Sequence, residues 1–211
     1  MPNTFQGFPT VPRLPWDDLY FSSWFESLDG FSAEITGTGT KFLDSSQLTL
    51  STGLNAGSTA FCQKVPALVF PILTWAKNRE FRTTVTFKAE KDINCEFYVG
   101  TGLLYDGRHL FFIVLNGILY AQTSDGTEKT RVQLEEFVAN PFEVTRRLKI
   151  IFTAGSSAQF YVDDVLKATI TTTLPATAAD SENVVIYWVN NTAANKDVVL
   201  KVSLFSVWQE Y

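Results

Sequence analysis

In the stretch Phe81-Arg82-Thr83-Thr84-Val85-Thr86-Phe87-Lys88 the side chains alternate. Phe81, Thr83, Val85 and Phe87 share one side, while Arg82, Thr84, Thr86 and Lys88 share the other. A period of two is that of a strand with one face buried. The pattern returns at Leu148, Ile150 and Phe152, at Phe160 and Val162, and at Leu200, Val202 and Leu204. Turn chemistry separates these runs. Asn116-Gly117 stands between "FFIVL" and "ILYAQ", and both residues tolerate positive φ. Asp106-Gly107 and Asp125-Gly126 mark further turns, and Asp163-Asp164 takes the same place inside "QFYVDDVLKAT". Two runs, "HLFFIVL" (109–115) and "VVIYWV" (184–189), are apolar on both sides and are expected to be central strands covered on both faces. The best helical candidate is a single turn around Leu134–Val138. About a dozen short strands with turns between them make a sandwich or jelly roll.

Composition agrees with a packed β domain. Of the 211 residues, 45% are hydrophobic and 18% charged, and aromatics reach 14% with 18 Phe. Aromatic enrichment favours strands, and this balance disfavours disorder. The net charge of -5 opposes binding to phosphate backbones, so no nucleic-acid partner is expected. Arg146-Arg147, the only basic pair, is expected at the solvent end of a strand. No run approaches ~18 apolar residues, so no membrane partner is expected either. The N-terminus "MPNTFQGFPT" has neither a basic nor an apolar region of the kind a signal peptide needs, which implies assembly in a cytoplasm. Cys62 and Cys95 are expected as buried thiols rather than a disulfide. Two cysteines with one histidine cannot build a typical zinc site, and no cofactor is expected.

Residues 1–23 read as a separate extended arm and 24–211 as the sandwich domain. Prolines fall at 2, 9, 12 and 15, half of the eight in the chain, and each biases its neighbourhood toward extended backbone. Phe5, Phe8, Val11, Leu14 and Trp16 are its apolar teeth. Either the arm fills a groove on its own domain, or it docks on a partner or a second copy of the chain.

The segment "RRLKIIFTAGSSAQFYVDDVLKATITTTLP" (146–175) resembles the concanavalin A-like, laminin-G-like jelly roll. In that family an apolar-alternating strand precedes an aromatic "YVDG" hairpin, a second strand ends near a proline, and a long strand closes the sheet, as "KDVVLKVSLFSVWQEY" would here. The departure is Asp164, where the family has glycine; aspartate also enters the left-handed region. The opening "WFESLDGFSAEITGTGTKFLDSSQLTLSTGLNAGSTAFCQK" (24–64) is similar to jelly-roll domains of tailed-phage and other virion proteins. The resemblance implies an all-β antiparallel jelly-roll sandwich with a Pro-rich arm.

The same resemblance sets the chemistry to look for. Glycosidases of this superfamily carry E-x-D-x-E or E-x-D-x-x-E along one strand, which sets two carboxylates on the concave face. The nearest match, Glu90-Lys91-Asp92-Ile93-Asn94-Cys95-Glu96, displaces the second glutamate and reads as a turn. His109 has no G-x-S-x-G serine to activate and reads as a turn-proximal surface residue. Some relatives hold calcium on loop carboxylates; Asp180, Glu182 and Asn183, or Asp163 with Asp164, are the nearest clusters, and neither has a diagnostic pattern. Carbohydrate binding would use aromatics on the concave sheet or its rim, with Trp75, Tyr105, Tyr187 and Trp188 as candidates, each equally readable as core.

These features imply a non-catalytic virion structural protein (capsid decoration, head fibre or tail component) anchored by its arm. Its partners would be other virion proteins or further copies of itself, in a homo-oligomer. The alternative is a non-enzymatic lectin-like module whose partners are glycans. A glycoside hydrolase or lyase comes third.

Overall fold

The computed structural model describes residues 19–23, 31–44, 47–64, 74–91, 95–103, 107–176, 183–193 and 195–210. Fifteen strands run through them in two antiparallel sheets. The eight-stranded sheet holds β13 (Val165–Ile170), β12 (Ser157–Val162), β11 (Phe142–Thr153), β6 (Arg79–Ala89), β15 (Val199–Gln209), β4 (Gln47–Ser51) and β3 (Thr40–Asp44) in that order. Its eighth strand, β1 (Leu19–Ser23), pairs with β15 from Leu19↔Gln209 to Ser23↔Phe205, beside the stretch of β15 that takes β4. The expected boundary at residue 24 therefore falls later than the pairing, because residues 19–23 are already part of the sheet.

The seven-stranded sheet runs β10 (Lys129–Glu136), β9 (Ile118–Asp125), β8 (Arg108–Leu115), β7 (Glu96–Gly102), β14 (Asn183–Asn191), β5 (Ser58–Lys64) and β2 (Phe31–Thr36). "HLFFIVL" and "VVIYWV" become β8 and β14, both interior to this sheet as their two-sided apolarity implied.

The turns have the expected chemistry. Asn116 and Gly117 take φ of 50° and 79° between β8 and β9, and Asp163 and Asp164 take 50° and 66° between β12 and β13. Both central residues at positive φ match the right-handed strand twist. Asp164 thus takes the left-handed conformation that glycine adopts most readily. Asp163 Oδ1 also accepts the Arg147 N–H at 2.9 Å, which ties the turn to β11.

The inner faces interlock through aromatic pairs. Phe87 of β6 meets Phe97 of β7 edge-on at 5.3 Å, and Phe160 of β12 meets Phe112 of β8 at the same distance. All four rings are fully buried, each contributing roughly 1.5–3 kcal/mol. As the alternation required, Phe160 and Val162 face inward, Tyr161 is half-buried and Asp163 exposed. Cys62 and Cys95 are free and buried, and burial pushes their thiols up to about 12 and about 11, so they behave as small apolar groups.

Two local readings change. Residues around Leu134–Val138 form no helix: Lys129–Glu136 is strand β10, with a register shift between Gln133 and Glu135. The bulge lets Phe137 turn inward and leaves Val138 91% exposed, which imitates helical spacing. On β15 a bulge between Val202 and Leu204 swaps faces. Leu200 and Val202 point inward as expected, but Leu204 stands opposite Thr84 on the outer side and Phe205 takes the core position.

Candidate functional site: the outer face of the seven-stranded sheet

Cross-strand register assigns the outward side chains of this sheet. Gln133, Tyr120, Ile113, Tyr98, Trp188, Phe61 and Glu34 form one row across it. The neighbouring row runs Arg131, Gln122, Phe111, Gly100 and Ile186. An antiparallel sheet with one wet face should alternate apolar and polar here. Instead Phe111, Ile113 and Ile186 are fully buried in a second apolar cluster, with Phe61, Tyr98 and Leu115 packed against it.

The rings touch in sequence. Trp188 meets Tyr98 edge-on at 5.0 Å, Tyr98 meets Phe111 at 6.0 Å, and Phe111 stacks on His109 at 4.3 Å. Phe61, Tyr98 and Tyr120 are half-buried, so part of each reaches solvent. Gly100 stands beside Phe111, where an added Cβ would come within 2.5 Å of the ring edge. Polar groups flank the row. Asn190 lies 3.5 Å from the Glu96 carboxylate on one side. On the other, Arg131 donates from Nε and Nη2 to the Gln122 amide oxygen at 2.9 and 2.7 Å.

His109 is not a surface residue. It is 1% exposed, and burial, reinforced by the charges of Lys129 and Arg131, lowers its pKa to about 4 against the pull of backbone hydrogen bonds at Gly107 and Leu103. A turn-proximal position suggested solvent, but β8 carries the ring onto the sheet face, under Phe111.

Of the aromatics expected to bind sugar, two are core. Trp75 is 1% exposed beneath the Arg79 guanidinium, 4.0 Å away, and against Phe152. Tyr187 is fully buried, its hydroxyl 3.0 Å from Thr83 Oγ1 between the sheets. Neither ring offers a face to a ligand. Trp188 does lie in the outer row, at 6% exposure. Tyr105 and the arm residues Phe5, Phe8, Val11, Leu14 and Trp16 lie outside the described residues.

The carboxylates do not assemble as a glycosidase pair. Glu90 follows β6 of one sheet and pairs with Lys196 at 2.6 Å, whereas Glu96 opens β7 of the other. On β7 the alternate positions after Glu96 are Tyr98 and Gly100. Asp163 and Asp164 face Arg146 and Arg147 at 3.5 and 2.9 Å. Arg146 and Arg147 thus lie within β11 and hold the β12–β13 turn rather than ending a strand. Asp180 and Glu182 lie outside the described residues, among which no three His, Cys, Asp or Glu gather as a metal site.

No protein-family model matches the sequence, and comparison with curated proteins finds no relative. Solved structures do share the architecture. A protein of unknown function from Shewanella oneidensis MR-1 aligns over 92% of this chain and 87% of its own, with TM-score 0.60 and 16% identity. The Crh5 transglycosylase in complex with NAG aligns over 90% and 83%, with TM-score 0.63 and 12% identity. A botulinum neurotoxin type C structure, whose cell entry depends on two ganglioside molecules, aligns over 90% of this chain at TM-score 0.59 and 8% identity. This chain spans 47% of that toxin chain. At such identities the likeness is one of fold: the chain is an antiparallel β-sandwich.

Proposed function

We propose that the protein is a non-catalytic module that binds glycans on the outer face of its seven-stranded sheet. The observation that carries this reading is the row of Tyr120, Tyr98, Trp188 and Phe61, bordered by Arg131 and Gln122 on one side and Asn190 and Glu96 on the other. A pyranose ring offers an apolar C–H face and an equatorial fringe of hydroxyls. The partly exposed rings of Tyr120, Tyr98 and Phe61 receive the first, with Trp188 buried behind Tyr98, and amides with a carboxylate receive the second. The structural neighbours that bind gangliosides or NAG support the choice of ligand class. Tyr98 and Gly100, at the positions where a second carboxylate would have to stand, support binding without hydrolysis. A glycan array with the purified chain, followed by titration of any hit, tests it. Tyr98→Ala should weaken binding about tenfold, near 1.4 kcal/mol. Glycan turnover by the purified chain, or binding indifferent to Tyr98→Ala, would sink the proposal.

A particle-borne structural role is a second reading, favoured by exposed apolar side chains at one narrow side of the sandwich. Ile35 on edge strand β2, Phe42 on edge strand β3 and Leu54 in the loop after β4 are 36%, 51% and 56% exposed. In this reading the module sits on a virion assembled in a host cytoplasm, and copies meet through that side and through residues 1–18. Deleting residues 1–15 should leave a cooperative melt and reduce the sedimentation coefficient, as should Phe42→Ser. A monomer before and after either change would dismiss self-assembly.

A further inference from the structure

We propose that Arg131 recognises the carboxylate of an acidic sugar, a uronic or sialic acid, at the β10 end of this face. The proposal rests on the glycan-binding reading and names its substrate class.

The argument starts from a directed chain of hydrogen bonds. Arg131 offers only donors, so the Gln122 amide must turn its oxygen toward it. That leaves Gln122 Nε2 aimed at His109 Nε2, 2.8 Å away. His109 Nε2 must then be the bare acceptor, and the ring proton sits on Nδ1, which donates to the Leu103 carbonyl at 3.1 Å. Each link fixes the next. Gln122 and His109 are 2% and 1% exposed, whereas Arg131 is exposed. A buried, fully determined relay thus terminates in one surface guanidinium.

What the relay gives Arg131 is position without neutralisation. Arg82 pairs with Glu80, Arg146 with Glu135, and Arg147 with Asp164. Among the described residues, the partners of Arg131 are a neutral amide and, 5.6 Å away, the face of Tyr120. The nearby carboxylates of β10 are engaged elsewhere, Glu135 with Arg146 and Glu136 with Lys91 at 3.3 Å. Asp125 at the β9–β10 turn accepts the N–H groups of Thr127 and Glu128. With Nε and Nη2 turned to Gln122, Nη1 points away from it, beside a tyrosine ring suited to a sugar face. A guanidinium edge next to an aromatic platform matches a pyranose that bears a carboxylate.

The experiment uses the full chain and two matched probe pairs, oligogalacturonate against its methyl ester and sialyllactose against lactose. The expected result is that one acidic probe binds roughly tenfold or more tightly than its neutral partner, by an amount that shrinks with added salt. The preference should vanish in Arg131→Gln. It should also vanish in Gln122→Glu, which keeps Arg131 but neutralises it, and survive in Lys88→Gln on the opposite sheet. Equal binding of acidic and neutral probes, with both lost in Tyr98→Ala, would overturn the acidic preference and leave the glycan site standing. Failure of every probe and of the array would overturn both.

Discussion

The two outer faces of this sandwich are built by the same alternation and come out opposite. On the eight-stranded sheet the outward residues of β6 and β11 are Glu80, Arg82, Thr84, Thr86, Lys88, Glu143, Thr145, Arg147 and Lys149, with Ile151 at the end. They satisfy one another. Lys88 and Lys201 flank Glu143 at 3.8 and 3.6 Å, Thr86 and Thr145 share a 2.8 Å hydrogen bond, and Lys149 lies 4.1 Å over Tyr161. On the seven-stranded sheet the outward rows are aromatic and aliphatic, and their polar groups sit at the margins. A surface whose outward groups largely pair with one another has little to offer a ligand, whereas an apolar row with polar groups at its margins does. The contrast, rather than any single residue, is why the binding site is proposed on the second face.

Both faces depend on the shared interior, which sets the largest effect. Phe112→Ala removes the ring that joins β8 to Phe160 across the sheets and should cost about 3–5 kcal/mol in chemical denaturation. A loss below ~1 kcal/mol would mean the inward side of β8 was assigned wrongly, and with it the row on the other side.

The next effect belongs to His109. Its folded pKa near 4 lies below the ordinary 6.5, so between those values the unfolded chain binds a proton that the folded chain refuses. Stability is full above pH 6.5 and falls as the pH drops toward 4. Between pH 7 and 5, where carboxylates stay ionised, the fall should be roughly 2 kcal/mol. Because His109 is the only histidine, His109→Gln should flatten this slope, and one ring resonance should titrate near pH 4. A histidine that titrates near 6.5 would show that the relay to Arg131 is not closed.

The strands, their turns and the inward side chains were legible because alternation and turn dipeptides are local. Asp163-Asp164 and Asn116-Gly117 needed nothing beyond their own φ preferences. Bulges were not legible. The one in β10 imitated a helical turn, and the one in β15 moved Leu204 outward without any residue that announces it. The site was half legible. Trp188 came from the list of aromatics, but Tyr98, Phe61, Tyr120, Gln122 and Arg131 sit on four different strands and meet only through register. One signal did point there. "HLFFIVL" and "VVIYWV" are apolar on both sides in an antiparallel sheet, which demands something other than bulk water on the second side. Trp75 and Tyr187 misled because a large aromatic reads the same in a core and on a platform.

Within the aromatic row, Tyr120→Ala separates binding from folding. The ring is half-buried beside Arg131, so its loss should cost stability about 1 kcal/mol while it weakens an acidic glycan about tenfold. A stability loss as large as that of Phe112→Ala, with binding intact, would make the row a second core rather than a site.

The smallest effect is the one that most directly tests the contrast. Lys88→Gln with Glu143→Gln removes an exposed ion pair from the eight-stranded sheet, where both side chains are about half exposed. Exposed pairs contribute about 0–1 kcal/mol, because water screens the attraction and two long side chains lose freedom to keep it. Lys201 also approaches Glu143, so the double change frees Lys201 to face solvent, at little further cost. Stability should therefore shift by less than about 0.5 kcal/mol, and glycan affinity not at all. If this double change instead weakened the glycan while Tyr98→Ala did not, the two faces would have to exchange roles, since the paired, hydrophilic surface would then be the one that meets the ligand.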